Sequence, residues 1–197
     1  TRCVVGVYSE QELSELGFAS VGCNVRVSRL ASFYGVSRIT LGDHVRIDDF
    51  CVLSAGVGGI VIGRNVHIAV YSSLIGAQLI QIDDFANISS RVSIYSSSDD
   101  YSGQTMTNPT IDEQYKNVHH GKVHIAEHVI VGCGSVILPA VTIGQGAAVG
   151  ALSLINKSIE PWHIVAGQPA QFIKMRKQDL LGLAAQFMAK NSGSDDV

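Results

Sequence analysis

Residues 62–74 read IGRNVHIAVYSSL and residues 82–94 read IDDFANISSRVSI. In each stretch three aliphatic residues stand six apart: Ile62, Ile68 and Leu74, then Ile82, Ile88 and Ile94. Working outward, the same step joins Val21, Val27 and Phe33, then Leu41, Ile47 and Leu53. Beyond a gap it resumes with Ile125, Val131 and Ile137, then Ile143, Val149 and Ile155. A period of six fits neither a 3.6-residue helix nor an uninterrupted strand. It fits a short strand, one inward side chain, and a sharp corner. Three such sides close a coil, so residues 21–160 encode about six stacked triangular coils, each burying its face only against its neighbours. Gly22, Gly42, Gly63, Gly132, Gly144 and Gly150 follow markers directly, and are read as supplying the unusual backbone conformations that corners need. Four places after a marker stand small or β-branched residues such as Val25, Val45, Val66, Val129 and Ser153. The expected fold is all-β, a parallel β-helix.

Short additions at 37–40, 56–61 and 76–81 are local bulges. The large interruption falls between Ile94 and Val123; it is polar and holds SSSDDYSG (96–103), Pro109 and NVHHGK (117–122). A long loop expelled from a regular solenoid usually performs work, the alternative being a passive surface insertion. Before the repeat, Ser9-Glu10-Gln11-Glu12 reads as a capping box opening a short helix whose Leu13 and Leu16 would cap the column. After it, the stretch from Pro169 through Phe172, Ile173, Met175, Leu180, Leu181, Leu183, Phe187 and Met188 is expected to form one or two C-terminal helices over the last coil, with a disordered tail at 192–197. The expected organisation is thus a capping segment (1–20), a β-helix (21–160) with a working loop at 95–123, and a C-terminal helical segment and tail (161–197).

Composition narrows the function. A hydrophobic fraction of 46% with 16% charged residues belongs to a folded chain rather than a disordered one. The formal net charge of −3 gives no bias toward nucleic acid, and no apolar run is long enough to insert in a membrane. The N-terminus lacks the basic-then-apolar pattern of a signal peptide. Cys3, Cys23, Cys51 and Cys133 are scattered without a CxxC pair, which argues against a metal site or disulfide scaffold and for the reducing cytoplasm.

The repeat, the single long loop after the fourth coil and the closing AGQPA (166–170) together resemble the hexapeptide-repeat acyltransferases, over about residues 21–176. Within that superfamily the chain is similar to the galactoside and maltose acetyltransferase branch. It is nearer still to the N-acetyltransferases of nucleotide-linked 4-amino-4,6-dideoxy sugars. The points of likeness are ASFYG (31–35), VRIDDFCVLS (45–54), DDYSG in the loop and GALSL (150–154). The resemblance implies a left-handed coil, a homotrimer with sites between subunits, and acetyl-CoA as co-substrate. It also implies a sugar acceptor in surface polysaccharide or glycan assembly. Handedness rests on the resemblance alone, because general crossover rules favour the right-handed solution.

Carried over by repeat register, the coenzyme A contacts of that branch fall on Cys133, Ala151, Asn156, Lys157, Gln171 and Lys174. Ala151 leaves room and Lys157 offers a cation to phosphate. Gln171 departs from a basic residue, so Lys174 and Arg176 are expected to supply the charge unless they are ordinary solvated surface. Cys133 reads as a small corner residue facing the cofactor, not as a nucleophile. Where the branch places a loop histidine as general base, this chain has Asp99. General-base help is worth roughly 10²–10⁴-fold, and an aspartate with a pKa near ~4 is a poor base for an alcohol. A sugar amine asks for less, so the departure favours an amine acceptor. Asp99 and Asp100 are the candidates for receiving the ammonium proton or pairing with it, although Asp-Asp-Tyr-Ser-Gly is also ordinary turn chemistry. His120, beside His119, could reach a neighbouring subunit's cleft. His67 and Asn87 occupy equivalent places on adjacent coils, facing the acceptor or forming a plain outward ladder. Tyr71 could stack on a sugar or base, and Tyr101 is grouped with these acceptor contacts. His44, His124, His128 and His163 read as surface or coil-edge residues. Two other readings stay open: a sugar O-acetyltransferase with His120 or His67 as base, and a non-catalytic or zinc-binding trimer of the carbonic-anhydrase type.

Overall fold

The structure is a computed structural model and describes residues 6–192; Cys3 and the tail beyond Ser192 lie outside the described residues. Three parallel sheets form the sides of a column. The first face runs from Ser20–Val21 to Thr142–Ile143, the second from Arg26–Val27 to Ala148–Val149, and the third from Ser32–Tyr34 to Leu154–Ile155, six strands on each before the chain leaves the repeat. The markers stack in register: Leu41, Ile62, Ile82, Ile125 and Ile143 on the first face, Ile47, Ile68, Ile88, Val131 and Val149 on the second. Leu53, Leu74, Ile94, Ile137 and Ile155 form the third row. All point into one core and are at most 3% exposed, whereas Val21 and Phe33 at the open first coil are only half-buried.

The glycines that follow the markers serve a purpose different from the expected one. None of Gly22, Gly42, Gly63, Gly132, Gly144 and Gly150 has a positive φ. They are there for space: a Cβ on Gly42 would lie 2.6 Å from the carbonyl carbon of Gly63, and one on Gly132 would lie 2.5 Å from the nitrogen of Ala151. The left-handed conformation falls two residues later, at Asn24, His44, Asn65, Gly134, Gly146 and Leu152. Asparagine tolerates it readily, and the others are held there by the stacked coils.

Helix α1, Glu10–Glu15, begins with the expected capping box: the Ser9 amide donates to the Glu12 carboxylate at 2.8 Å, and the Glu12 amide donates to Ser9 Oγ at 3.3 Å. The Arg29 guanidinium, hydrogen-bonded to Glu12, and the Ser9 contacts hold the Glu12 carboxyl down to about 2. Leu13 is buried in the core cluster and closes the column.

The other end departs from expectation. The Pro169 stretch is not helical: His163–Gly167 joins the second face beside Ala148–Val149, and Ala170–Met175 folds back on it as an antiparallel strand. Val149 would otherwise end an open sheet edge, and the added strands satisfy that backbone. Only then does helix α2, Leu180–Ser192, form. It does not lie over the last coil. The Phe187 ring meets Phe85 of the fourth coil edge-on, centroids 6.3 Å apart, so the segment runs back along the corner between the first and second faces.

Replacing Ile88 (fully buried) by Ala should cost about 2–5 kcal/mol. The Val61→Ala change, at an outward position on the first face, should stay within about 0.5 kcal/mol. Urea unfolding of the two variants checks the pair.

Candidate active site

The long loop leaves the corner between the third and first faces and is folded, not slack. Ser97–Ser98 pairs antiparallel with His119–His120, and a 3-10 turn at Glu113–Tyr115 closes back through the Met106 amide onto the Tyr115 carbonyl at 2.9 Å. Three bonds fasten its base. The Ser96 hydroxyl donates to the Gln78 carbonyl at 2.7 Å, the Gly121 amide donates to the Ser96 carbonyl at 3.0 Å, and the Ala77 amide donates to Ser97 Oγ at 2.8 Å. Ser97 Oγ also lies 2.8 Å from Nδ1 of His120, whose ring is otherwise exposed.

The two adjacent loop carboxylates have parted. Asp100 is buried and accepts from the Ser102 amide, the Ser102 hydroxyl and the Thr105 hydroxyl at 2.8, 2.8 and 2.9 Å. Those donors, the Ser102 amide first, hold its carboxyl below the ordinary aspartate value. Asp100 therefore braces the loop from within, its carboxylate held in the charged form. Asp99 makes no such bonds through its carboxylate among the described residues and remains half-exposed. Tyr101 projects into solvent at 93% exposure.

A second group lies on another side of the column. Along the outer surface of the second face, Arg46, His67 and Asn87 occupy one register row. His67 Nε2 lies 2.8 Å from Asp48 Oδ2, and its Nδ1 lies 3.2 Å from Asn87 Oδ1. Arg46 Nε donates to the other Asp48 oxygen at 2.7 Å. Burial opposes the charge on Asp48, but these bonds hold its carboxyl below its ordinary value. Both His67 ring nitrogens thus lie against acceptor oxygens of neighbouring coils, which ties the ring to the face of the column. At the adjoining corner, between the second and third faces, Phe50 and Tyr71 stack with centroids 5.0 Å apart, and the Arg91 guanidinium lies 5.8 Å from the Tyr71 ring centroid. Higher on that corner Cys133 and Ala151 are exposed, and the Leu152 amide joins them by donating to the Cys133 carbonyl at 2.8 Å.

Third, Asn156, Lys157 and Gln171 line a cavity of about 280 Å³ at the end of the column, beneath the terminal hairpin. Lys174 is exposed on the outer strand of that hairpin. Arg176 is not a free cation: its Nη1 donates to the carbonyls of His128 and Gly146, each at 2.9 Å, and burial depresses its pKa. It clamps the returning chain to a corner. Of the remaining histidines, His128 stacks on Phe85, His163 packs on Phe172 and His124 pairs with Asp83 at 2.6 Å.

The structure thus places His67 and Asn87 in one row of the second face, Tyr71, Cys133 and Ala151 along the corner beside that face, and Asp99, Tyr101 and His120 on the loop at another corner. Sequence reasoning missed Ser97, Asp48, Phe50 and Arg91. Asp48, 19 residues before His67, was accessible through the coil length of about 20 residues; Ser97 was not, because its partner arrives only after the loop folds back.

No family model matches the chain. It is 52% identical over 94% of its length, and 97% of the relative's, to the dTDP-4-amino-4,6-dideoxy-D-glucose acyltransferase of Escherichia coli. AntD, an N-acyltransferase from Bacillus cereus solved with dTDP and 3-hydroxybutyryl-CoA, superposes with a TM-score of 0.92 at 46% identity, covering 95% of this chain and 98% of that one. Galactoside acetyltransferase solved with coenzyme A shares the fold, with a TM-score of 0.60 at 23% identity over 85% of this chain and 70% of that one. The column accordingly has the left-handed winding of these β-helices.

If Asp100 braces the loop, Asp100→Ala should speed proteolytic nicking between residues 101 and 118 at neutral pH while leaving the melting temperature of the column nearly unchanged. The brace is complete above the ordinary aspartate pKa of 3.8 and is lost as pH falls through the depressed folded value. The protection factor of the Ser102 amide against hydrogen exchange should therefore hold at neutral pH and fall only in acid below that ordinary value.

Proposed function

Because the chain belongs to the hexapeptide-repeat acyltransferases, we propose that it moves an acetyl group from acetyl-CoA to the amino group of a nucleotide-linked amino-dideoxy sugar. The observation that carries this reading is the 52% identity over nearly the whole chain to an acyltransferase of dTDP-4-amino-4,6-dideoxy-D-glucose. A single-residue variant of AntD, 45% identical, has also been solved with dTDP-4-amino-4,6-dideoxyglucose and coenzyme A together. The acylated nucleotide sugar is then a donor for surface glycan assembly.

The neutral amine attacks the thioester carbonyl carbon and a C–N bond forms. The carbonyl electron pair moves onto oxygen, and the tetrahedral intermediate collapses as the C–S bond breaks and the thiolate leaves. The new ammonium passes its proton to Asp99 or solvent, and the departing thiolate takes one from water. Asp99 is assigned to the amine, as the loop carboxylate free to pair with it. Asn156, Lys157 and Lys174 are assigned to the coenzyme near the column end, with Cys133 and Ala151 along its corner. Arg176 is withdrawn from that set because its guanidinium is already engaged.

The working assembly is a homotrimer. Outward positions on the third face mix apolar residues, Val52, Ile75, Tyr95, Val136, Leu138 and Leu154, with the small serines Ser54, Ser73 and Ser93. A flat face of half-buried apolar and small residues favours burial against another copy. The loop rises at one edge of that face, while Tyr71, Cys133 and Ala151 stand at the other. A head-to-tail ring through the third face therefore brings one copy's Asp99, Tyr101 and His120 to the next copy's His67, Asn87 and Tyr71. The unpaired thiols of Cys23 and Cys133 suit the reducing cytoplasm, where nucleotide sugars are made. No described helix is long and apolar enough to cross a membrane.

The hydroxyl-acylating alternative needs a strong base placed at the acceptor, and the His67 ring is turned onto Asp48 and Asn87. Thiol release from acetyl-CoA with dTDP-4-amino-4,6-dideoxyglucose should exceed that with the matching 4-hydroxy sugar by at least about 100-fold, the lower end of what a general base contributes. Asp99→Asn should lower kcat/KM by about 10-fold or more, and Asp100→Asn should act mainly through loop order. Full activity in Asp99→Asn removes the carboxylate assignment; preference for the hydroxy sugar overturns the proposed reaction.

A further inference from the structure

The bonds around Ser97 fix more than the loop's position. Ser97 Oγ accepts the Ala77 amide proton at 2.8 Å, which leaves the hydroxyl with its own proton to donate. The acceptor in reach is Nδ1 of His120, also at 2.8 Å, and Ser97 and His120 face each other across the antiparallel stem of the loop. Oγ keeps a second lone pair that could accept from a protonated Nδ1, but only donation to a bare Nδ1 gives the hydroxyl proton a partner among the described residues. The neutral imidazole then carries its proton on Nε2, the nitrogen facing solvent.

We infer that Ser97 is a positioning residue that locks His120 as the Nε2–H tautomer, making the loop histidine a hydrogen-bond donor to the oxyanion of the tetrahedral intermediate instead of a general base. This rests on the proposed placement of His120 in the acyl-transfer site.

The chemistry is coherent with an amine acceptor. When the carbonyl electron pair moves onto oxygen, a donor aimed at that oxygen lowers the barrier without accepting a proton. The amine arrives with its own nucleophilic lone pair, and its surplus proton is left to Asp99 and solvent. A hydroxyl acceptor would need Nε2 bare, the tautomer that the Ala77–Ser97 relay disfavours. The relay reaches across three parts of the fold: a corner of the third coil, the outgoing strand of the loop and its return. His120 is exposed, so this relay supplies its side-chain fixation among the described residues.

The tautomer is read directly by the long-range proton–nitrogen spectrum of uniformly ¹⁵N-labelled full-length protein, with His120→Gln used to assign the signal. The expected pattern has a protonated Nε2 and a bare Nδ1 at neutral pH, lost in Ser97→Ala and retained in Ser97→Thr, which keeps the hydroxyl. Activity toward the amino sugar should follow. His120→Ala should lose about 100-fold or more in kcat, as for an oxyanion donor. Ser97→Ala should lose roughly tenfold in kcat with little change in KM, the usual scale for a residue that orients another, and Ser97→Thr should recover most of it. A wild-type spectrum with the proton on Nδ1 overturns the inference. So does a Ser97→Ala variant that keeps both the wild-type tautomer and full kcat. If the tautomer is as stated but His120→Ala is fully active, the placement of His120 in the site is what fails.

Discussion

Everything in this molecule depends on the stacking of one coil upon the next. A single triangular turn has three inward side chains and no core of its own; it is stable only when rows such as Leu41, Ile62, Ile82, Ile125 and Ile143 touch along the axis. That requirement explains where irregularity is tolerated. The 27 positions between Tyr95 and Val123 are expelled at a corner, and the fifth coil then lands on the fourth as though nothing intervened: Ile80 pairs with Val123, and Ser93 pairs with Val136. A loop inserted within a strand would break a row; one inserted at a corner breaks none.

The same constraint loads the corners with residues that would avoid them elsewhere. Phe50, Tyr71, Phe85, Arg91 and Trp162 all hold φ between 58° and 63°, a conformation costing roughly 1 kcal/mol or more for a side chain with a Cβ. The regular backbone imposes it, and its consequence is external. Successive corner side chains stand one above another about a strand spacing apart, so Phe50 stacks on Tyr71 and Phe85 on His128. The inside of the column is nearly interchangeable aliphatic filling; the outside is where the chain can afford to be particular.

This division sets how much the sequence could disclose. The inward markers were legible because each is bound by the same period and burial, and those from Leu41 to Ile155 occupy the core. The glycines were found but their reason was not: only coordinates reveal that Gly42 meets the backbone of Gly63, while the φ burden passes to His44. The run Phe172, Ile173 and Met175 carries no period that separates strand from helix. What decides it is the open edge left at Val149, a fact about the three-dimensional ladder. At the site, Asp99 and Asp100 are neighbours of identical chemistry. Which one turns inward depends on Ser102 and Thr105 folding beneath it. Arg176 looked like any C-terminal cation until its guanidinium was seen against two carbonyls.

A rigid column bearing one braced loop suits a reaction whose difficulty is geometric more than acid–base. Acyl transfer to an amine needs the thioester carbonyl, the nucleophile and an oxyanion donor brought into line; once aligned, the electron pairs move without a strong base. Alignment is worth most when the partners cannot drift. The column edge, built from backbone fixed by coil stacking, supplies one wall that cannot drift. In the proposed ring a neighbouring copy's loop supplies the other, and that loop is held by bonds from Ala77, Gln78 and Gly121 at its base and by Asp100 within. A histidine base on a mobile lid would serve an alcohol acceptor; here its sequence position is taken by Asp99, and the histidine that remains in the loop is tied through a serine hydroxyl to the column itself. Selection on such a chain has less need to tune a pKa than to keep two surfaces in register, and register is what a stacked solenoid provides.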